Sequence, residues 1–218
     1  MSTFCLKVWG GHACFTRPEM KVERVSYDVM TPSAARGILE AILWKPAIRW
    51  VITRIDVLNP IRMETVRRNE VGSRISAGPV RTAMKRQAGT LGLFIEDDRQ
   101  QRAATLLRDV AYLIHARFDL TRPGPDDSAG KFLGMFERRA TRGQCFHRPY
   151  LGCREFAAQF ELAPKDKTPP APIEETRDLG WMLYDLDYAD HYRPRFFQAR
   201  LKNGIVIVPP WDSPEVKG

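Results

Sequence analysis

The 218-residue chain contains only four cysteines and four histidines. Cys5, Cys14, Cys145 and Cys153 form no C-x-x-C pair, and His147 between the last two does not complete a zinc-site spacing. We therefore expect no metal, no cofactor and reduced thiols. No apolar run approaches the roughly 20 residues of a membrane span, and no signal peptide precedes the first predicted strand. These absences predict a cytoplasmic protein without a membrane partner.

The chain has fewer acidic than basic residues: 26 aspartates and glutamates and 34 lysines and arginines. The net charge is +8 and the pI is about 9.5. Two segments carry the surplus. Residues 62–86 hold seven cations and two acids, and residues 131–154 hold six cations and one acid, so each has a net charge of +5. Concentrated charge predicts an anionic partner. For 62–86 alone, a solvated face is the alternative.

The second basic segment also contains aromatic residues and a histidine: residues 130–154 read GKFLGMFERRATRGQCFHRPYLGCR. Cations bind phosphates, aromatic rings stack on bases, and an imidazole transfers protons near neutral pH. The segment therefore combines groups for binding RNA with groups for cutting it. The predicted RNA-binding residues of the two segments are Arg67, Arg68, Arg74, Arg138, Arg139, Arg142, Arg148 and Tyr150.

Hydrophobic periodicity predicts an α+β fold. The expected elements, in chain order, are a strand at 3–9, an extended run at 25–30, a helix from Thr31-Pro32 to before Pro46, strands at 48–57 and 110–120, a helix from about 132 to Gly143, and a strand at 156–162. This β-α-β-β-α-β order is ferredoxin-like, as in RNA-recognition (RRM-like) domains. Residues 102–107 are also compatible with a helix.

The chain is predicted to divide after residue 162. Residues 1–162 would form the ferredoxin-like domain, with a basic insertion at about 62–90 that is a long loop or a hairpin. Residues 163–218 would form a linker, rich in proline up to 175, and a C-terminal extension. Two alternating runs and the Asn203-Gly204 turn signal predict a small antiparallel β-sheet there.

Several short strings, taken in order, carry a family resemblance. They are W-G at 9–10, F-T at 15–16, S-Y-D-V-M-T-P-S at 26–33, W-K-P at 44–46, N-P-I at 59–61, G-K at 130–131 and R-G-Q-C-F-H-R-P-Y-L-G-C-R-E-F at 142–156. The set resembles the CRISPR-associated Cas-five family, subtype d, of type I-C systems, and it spans nearly the whole chain. The string at 142–156 is the most specific of them.

The resemblance implies a metal-independent endoribonuclease that cuts the repeats of precursor CRISPR RNA. It also implies that the protein keeps the 5′ handle of the product and joins the other subunits of the surveillance complex. Some family members carry a tyrosine before W-K-P and a Lys-His pair after the glycine. Here those positions are Leu43 and Lys131-Phe132, so only Lys131 carries over.

Three residues are candidates for catalysis. Metal-free RNA cleavage needs removal of the 2′-OH proton, stabilisation of the phosphorane and protonation of the 5′-oxygen. Lys131, after Gly130 at a predicted helix start, suits the phosphorane, and His147 suits acid or base catalysis. Tyr27 is the third candidate, as a hydrogen-bond donor. Each has a structural alternative: a solvated lysine, a loop-fixing histidine and a packed tyrosine.

Two other functions stay open on the sequence alone. The residues Leu43 and Phe132 favour a non-catalytic subunit that binds the 5′ handle. The basic surface does not distinguish RNA from DNA, so sequence-tolerant binding of duplex DNA is the second alternative.

Overall fold

An antiparallel sheet is the centre of the computed structural model, which describes residues 4–163 and 168–218. The strands and helices are β1 (Phe4–Ala13), α1 (Pro32–Ile42), β2 (Ile48–Val57), β3 (Met63–Val71), α2 (Ala77–Arg86), β4 (Arg99–Leu120), α3 (Ala129–Thr141), β5 (Gln159–Leu162), β6 (Arg177–Asp187), β7 (Arg193–Lys202), β8 (Ile205–Ile207) and β9 (Val216–Lys217). None of the helices in these ranges combines the length and hydropathy of a membrane span.

The strand order confirms the ferredoxin-like prediction. The sheet begins β5-β1-β4-β2, and every pair in that run is antiparallel. Without the insertion, the chain order is β1-α1-β2-β4-α3-β5, which is the predicted β-α-β-β-α-β arrangement. Helices α1 and α3 contact each other and pack on the strands.

The C-terminal strands are antiparallel and continue the same sheet. Strand β8 pairs with β2, and β7 and β6 follow it outward. The predicted hairpin turn is confirmed: Asn203 and Gly204 have φ of 48° and 73°, the left-handed values that a two-residue hairpin turn requires. The division of the chain into domains at residue 162 stays a prediction.

Both packed helices begin at a side-chain cap. The Thr31 side chain accepts a hydrogen bond from the Ala34 N–H, and Pro32 takes the first helical position, as predicted. In α3 the Ser128 hydroxyl oxygen accepts from the Lys131 N–H at 3.2 Å. The caps fix where each helix starts, and in α3 this puts Lys131 in the first turn.

Aromatic rings from three strands and α3 fill one end of the core. Phe4 and Trp50 both contact the Phe136 ring, with centroid distances of 4.9 and 4.8 Å. Phe118 meets Phe132 edge-on at 6.4 Å. The Trp50 indole N–H donates to the Leu43 carbonyl oxygen at 2.9 Å, so the buried indole is satisfied. This cluster holds α3 and the loop after α1 in fixed positions.

The basic insertion is a hairpin with a helix in its connection. Strand β3 pairs with the first part of β4, from Met63↔Leu107 to Val71↔Arg99. Residues 102–107 are therefore strand, and the helical alternative for them was wrong: their apolar run fits both periods, and the pairing with β3 decides. Helix α2 has no buried residue.

Candidate functional site

A small cationic cavity lies at the N-terminus of α3. It has a volume of about 270 Å³, and its lining includes Lys45, Arg122, Lys131 and Asp127. The Lys131 Nζ lies 2.9 Å from Asp127 Oδ1, and this hydrogen bond lowers the pKa of the Asp127 carboxyl. Three cations outweigh one carboxylate beside a helix N-terminus, an arrangement that favours a phosphate group.

The two departures from the family pattern are core residues. Leu43 is fully buried and Phe132 is 2% exposed. Leu43 precedes the W-K-P string, and Phe132 packs edge-on against Phe118. Leu43 is enclosed in the core, and Phe132, which also lines the cavity, carries no ionisable group. Any proton transfer must come from other residues.

His147 belongs to an exposed aromatic row beyond the C-terminus of α3. Its ring stacks on Tyr150 with a centroid distance of 6.3 Å and an interplanar angle of 25°. The Phe146 ring makes a T-shaped contact with His147 at a centroid distance of 6.1 Å. The His147 Nδ1 lies 3.3 Å from the Arg148 carbonyl oxygen. The imidazole is thus open to solvent and held by ring contacts.

The three predicted catalytic residues do not share one cavity. His147 is not in the lining of the Lys131 cavity. Tyr27 is 1% exposed, and its hydroxyl oxygen accepts from the Leu183 N–H at 3.2 Å. Burial raises the pKa of Tyr27, so its hydroxyl is protonated at neutral pH. The catalytic roles of all three stay predictions.

The predicted RNA-binding arginines fall into two groups. Arg67, Arg74, Arg138, Arg142 and Arg148 are exposed. Arg139 and Arg68 are half-buried and engaged within the protein. Arg139 donates from Nη1 to the Ile42 carbonyl oxygen at 2.8 Å, which satisfies the end of α1. Arg68 is paired with Glu155. Exposed arginines are free to reach a phosphate, whereas these two also stabilise the fold.

Sequence reasoning missed Lys45, Arg122 and Phe146. Lys45 stands inside the W-K-P string, which was a signal for it. Arg122 lies in a turn between β4 and α3, and only the folded chain brings it to Lys45. Phe146 is one of several aromatic residues in its string, and the sequence did not indicate that its ring would lie outside the core.

The fold places the chain in the RRM-like class, and a cationic cavity lies at the N-terminus of its helix α3. The model of the family described as CRISPR-associated protein (Cas_Cas5) matches residues 3–209. The chain belongs to this family, in its Cas5d branch. This confirms the resemblance drawn from the sequence strings.

Two relatives carry the name CRISPR pre-crRNA endoribonuclease Cas5d. The one from Mannheimia succiniciproducens is 57% identical, over 97% of each chain. The one from Thermus thermophilus is 43% identical, over 96% of this chain and 92% of its own. A crystal structure of a CRISPR-associated protein superposes with a TM-score of 0.72 at 22% identity, covering 100% of this chain and 97% of the other. That likeness supports the fold.

Proposed function

We propose that the protein is a metal-independent endoribonuclease that cuts precursor CRISPR RNA in its repeats. The cavity of Lys45, Arg122 and Lys131 carries the proposal, since it offers three cations to one phosphate. The names of the two full-length relatives support the substrate.

The proposed reaction is attack by the ribose 2′-oxygen on the adjacent phosphorus. A base takes the 2′-OH proton, the bond from phosphorus to the 5′-oxygen breaks, and an acid returns a proton to that oxygen. The products are a 2′,3′-cyclic phosphate and a 5′-OH. Lys131 stabilises the negative charge of the phosphorane. His147 transfers a proton, and Tyr27 remains the weaker candidate because its hydroxyl is buried.

His147 and Lys131 act on one substrate only if the RNA passes from the aromatic row to the cavity. The last turn of α1 and the loop after it connect the two places. The Phe146 N–H donates to the Ala41 carbonyl oxygen at 2.8 Å, while Lys45 and Pro46 line the cavity. Five residue steps span at most about 18 Å, so the main-chain positions that anchor the two places lie within a distance that a short stretch of RNA can span.

Cleavage of the repeat RNA in EDTA, with analysis of the product ends, tests this function. We expect cleavage to persist in EDTA and to stop when the ribose at the cut site is 2′-deoxy. Cleavage of the deoxy substrate would exclude attack by the 2′-OH, and loss of activity in EDTA, restored by a divalent ion, would exclude the metal-independent mechanism.

A non-catalytic subunit that binds the 5′ handle is the second candidate, and the burial of Leu43 and Phe132 favours it. It predicts tight binding of the repeat without cleavage under the same conditions. Under both functions, we propose that the protein stays on the RNA and joins the other subunits of a type I-C surveillance complex. Binding to duplex DNA stays a prediction, which competition between DNA and RNA at matched salt tests.

A further inference from the structure

Phe146 has an unusually exposed side chain. It is 89% exposed, the highest value among the large apolar residues of the described ranges. Its backbone is nevertheless fixed, because its N–H donates to the Ala41 carbonyl oxygen at 2.8 Å. The exposed phenyl ring therefore lacks the stabilisation that burial of an apolar side chain gives, although its main chain is fixed. Such a ring is positioned to contact a ligand.

The rings beside Phe146 restrict how a ligand can approach. Phe146 contacts the edge or face of His147 at an interplanar angle of 73°, and its 89% exposure leaves most of the ring open to solvent. His147 in turn stacks on Tyr150. Phe146 therefore lies at one end of the row, with an exposed ring that a flat group can reach.

The cations that flank Phe146 in sequence favour an anionic ligand. Arg142 and Arg148 flank it in sequence and are exposed, and residues 142–148 contain no acid. An apolar protein partner would need to match both the ring and these cations. A single-stranded nucleic acid offers a flat base and a phosphate in each repeating unit, so it satisfies both.

We propose that Phe146 is a stacking platform for an unpaired nucleobase of the RNA substrate, next to His147. The inference rests on the proposed function for the identity of the polymer and does not depend on cleavage. It identifies the substrate as RNA with at least one unstacked nucleotide at this place. A base on Phe146 puts its ribose and phosphate beside His147 and Arg148.

The test measures binding of a repeat RNA that cannot be cut, because its cut site is 2′-deoxy, with 2-aminopurine placed in turn at each unpaired position. Stacking on the parent protein quenches the fluorescence at one position. Loss of stacking onto one aromatic ring lowers affinity by about fivefold to a hundredfold. We expect Phe146→Ala to lose the quench and this affinity, and Phe146→Trp to restore both.

Trp181→Ala is the matched control, because Trp181 is an aromatic residue that is 53% exposed in β6, outside the aromatic row and both basic segments. It should leave the quench unchanged. The proposal is overturned if Phe146→Ala binds the RNA and quenches its fluorescence like the parent. A variant that keeps both and loses only its binding to a protein partner overturns it as well. If the parent quenches but fails to cleave native RNA, the nuclease function fails and the platform stands.

Discussion

Arg68 Nη1 donates to Glu155 Oε2 at 2.5 Å, and this contact joins the inserted hairpin to the basic segment 142–156. Arg24 reaches the other carboxylate oxygen at 3.4 Å. The hydrogen bond from Arg68 lowers the pKa of Glu155, so the carboxyl is ionised at neutral pH. One acid therefore neutralises cations at the place where two basic surfaces meet.

Replacing Glu155 should strengthen RNA binding. In Glu155→Gln the two arginines lose their counter-charge, so they become available to phosphates. We expect higher affinity and a salt dependence steeper by about 0.7–0.9 per added contact. The cost to stability should be small, at most about 1 kcal/mol for each partly exposed pair. Binding isotherms at several salt concentrations measure both effects.

Glu161→Gln is the control for that experiment, because Glu161 is an exposed acid that pairs with Lys7 at 2.9 Å on the other side of β1. It should leave RNA affinity unchanged. An equal gain in both variants would mean that net charge alone acts. No gain in Glu155→Gln would mean that Arg68 and Arg24 do not face the RNA.

The inserted hairpin should contribute directly to the salt dependence of RNA binding. Arg67 and Arg74 are exposed. The double variant Arg67→Ala/Arg74→Ala should lower the slope of log affinity against log salt by about 1.4–1.8, since each lost phosphate contact removes about 0.7–0.9. The pair Arg193→Ala/Arg200→Ala, on exposed positions of β7, removes the same charge and should change the slope less. Equal slopes in the two double variants would contradict RNA binding by the inserted hairpin.

Lys131 should affect the chemical step more than binding. Loss of one group that stabilises transition-state charge typically lowers the rate by about 10²–10³-fold, whereas other exposed cations still hold the backbone. We expect Lys131→Ala to lose single-turnover rate to this extent while affinity falls by less than tenfold. Asp127→Ala removes the partner of Lys131 and should retain activity. A parallel loss of rate and affinity would make Lys131 a binding residue.

His147→Phe separates the two uses of the aromatic row. Phenylalanine keeps a ring that stacks on Tyr150 but transfers no proton. A general acid or base contributes about 10²–10⁴-fold, so the single-turnover rate should fall by that factor with affinity retained. The pH–rate profile should also lose one limb. A variant with the parent rate and profile would assign His147 to the loop structure.

The sequence predicted the central elements because their signals are local. Alternating apolar residues predicted β2, and a cap with proline predicted the start of α1. Strand β3 was harder, since its exposed and half-buried faces are both polar and charged. The cavity was predictable only through Lys131. Lys45 and Arg122 are 77 residues apart in number, and the pairing of β2 with β4, extended by the Thr121 N–H that donates to the Ala47 carbonyl oxygen at 2.9 Å, brings them together.

A partly buried ion cluster around Asp56 joins β2 to β4. His115 Nε2 lies 2.9 Å from Asp56 Oδ2, and Asp56 is 2% exposed. Arg54 donates to the same carboxylate at 2.5 and 2.8 Å, and the Cys5 Sγ lies 4.0 Å from the imidazole. The hydrogen bond with Asp56 is the main cause that raises the pKa of His115 to about 9, and the contact with Cys5 adds to it.

This cluster should make the folded state less stable as pH rises from about 6.5 to 9. An unfolded histidine has a pKa of about 6.5, so the folded state binds the proton more tightly. The resulting stabilisation, about 3 kcal/mol at most, is complete below pH 6.5 and is lost as pH rises through 9.

Chemical denaturation at pH 6 and pH 9 should show this fall in the parent and a smaller one in His115→Gln. His12→Gln, at an exposed histidine, should behave like the parent. If His115→Gln loses stability between pH 6 and 9 as steeply as the parent, His115 is neutral in the folded protein and the ion pair with Asp56 does not form.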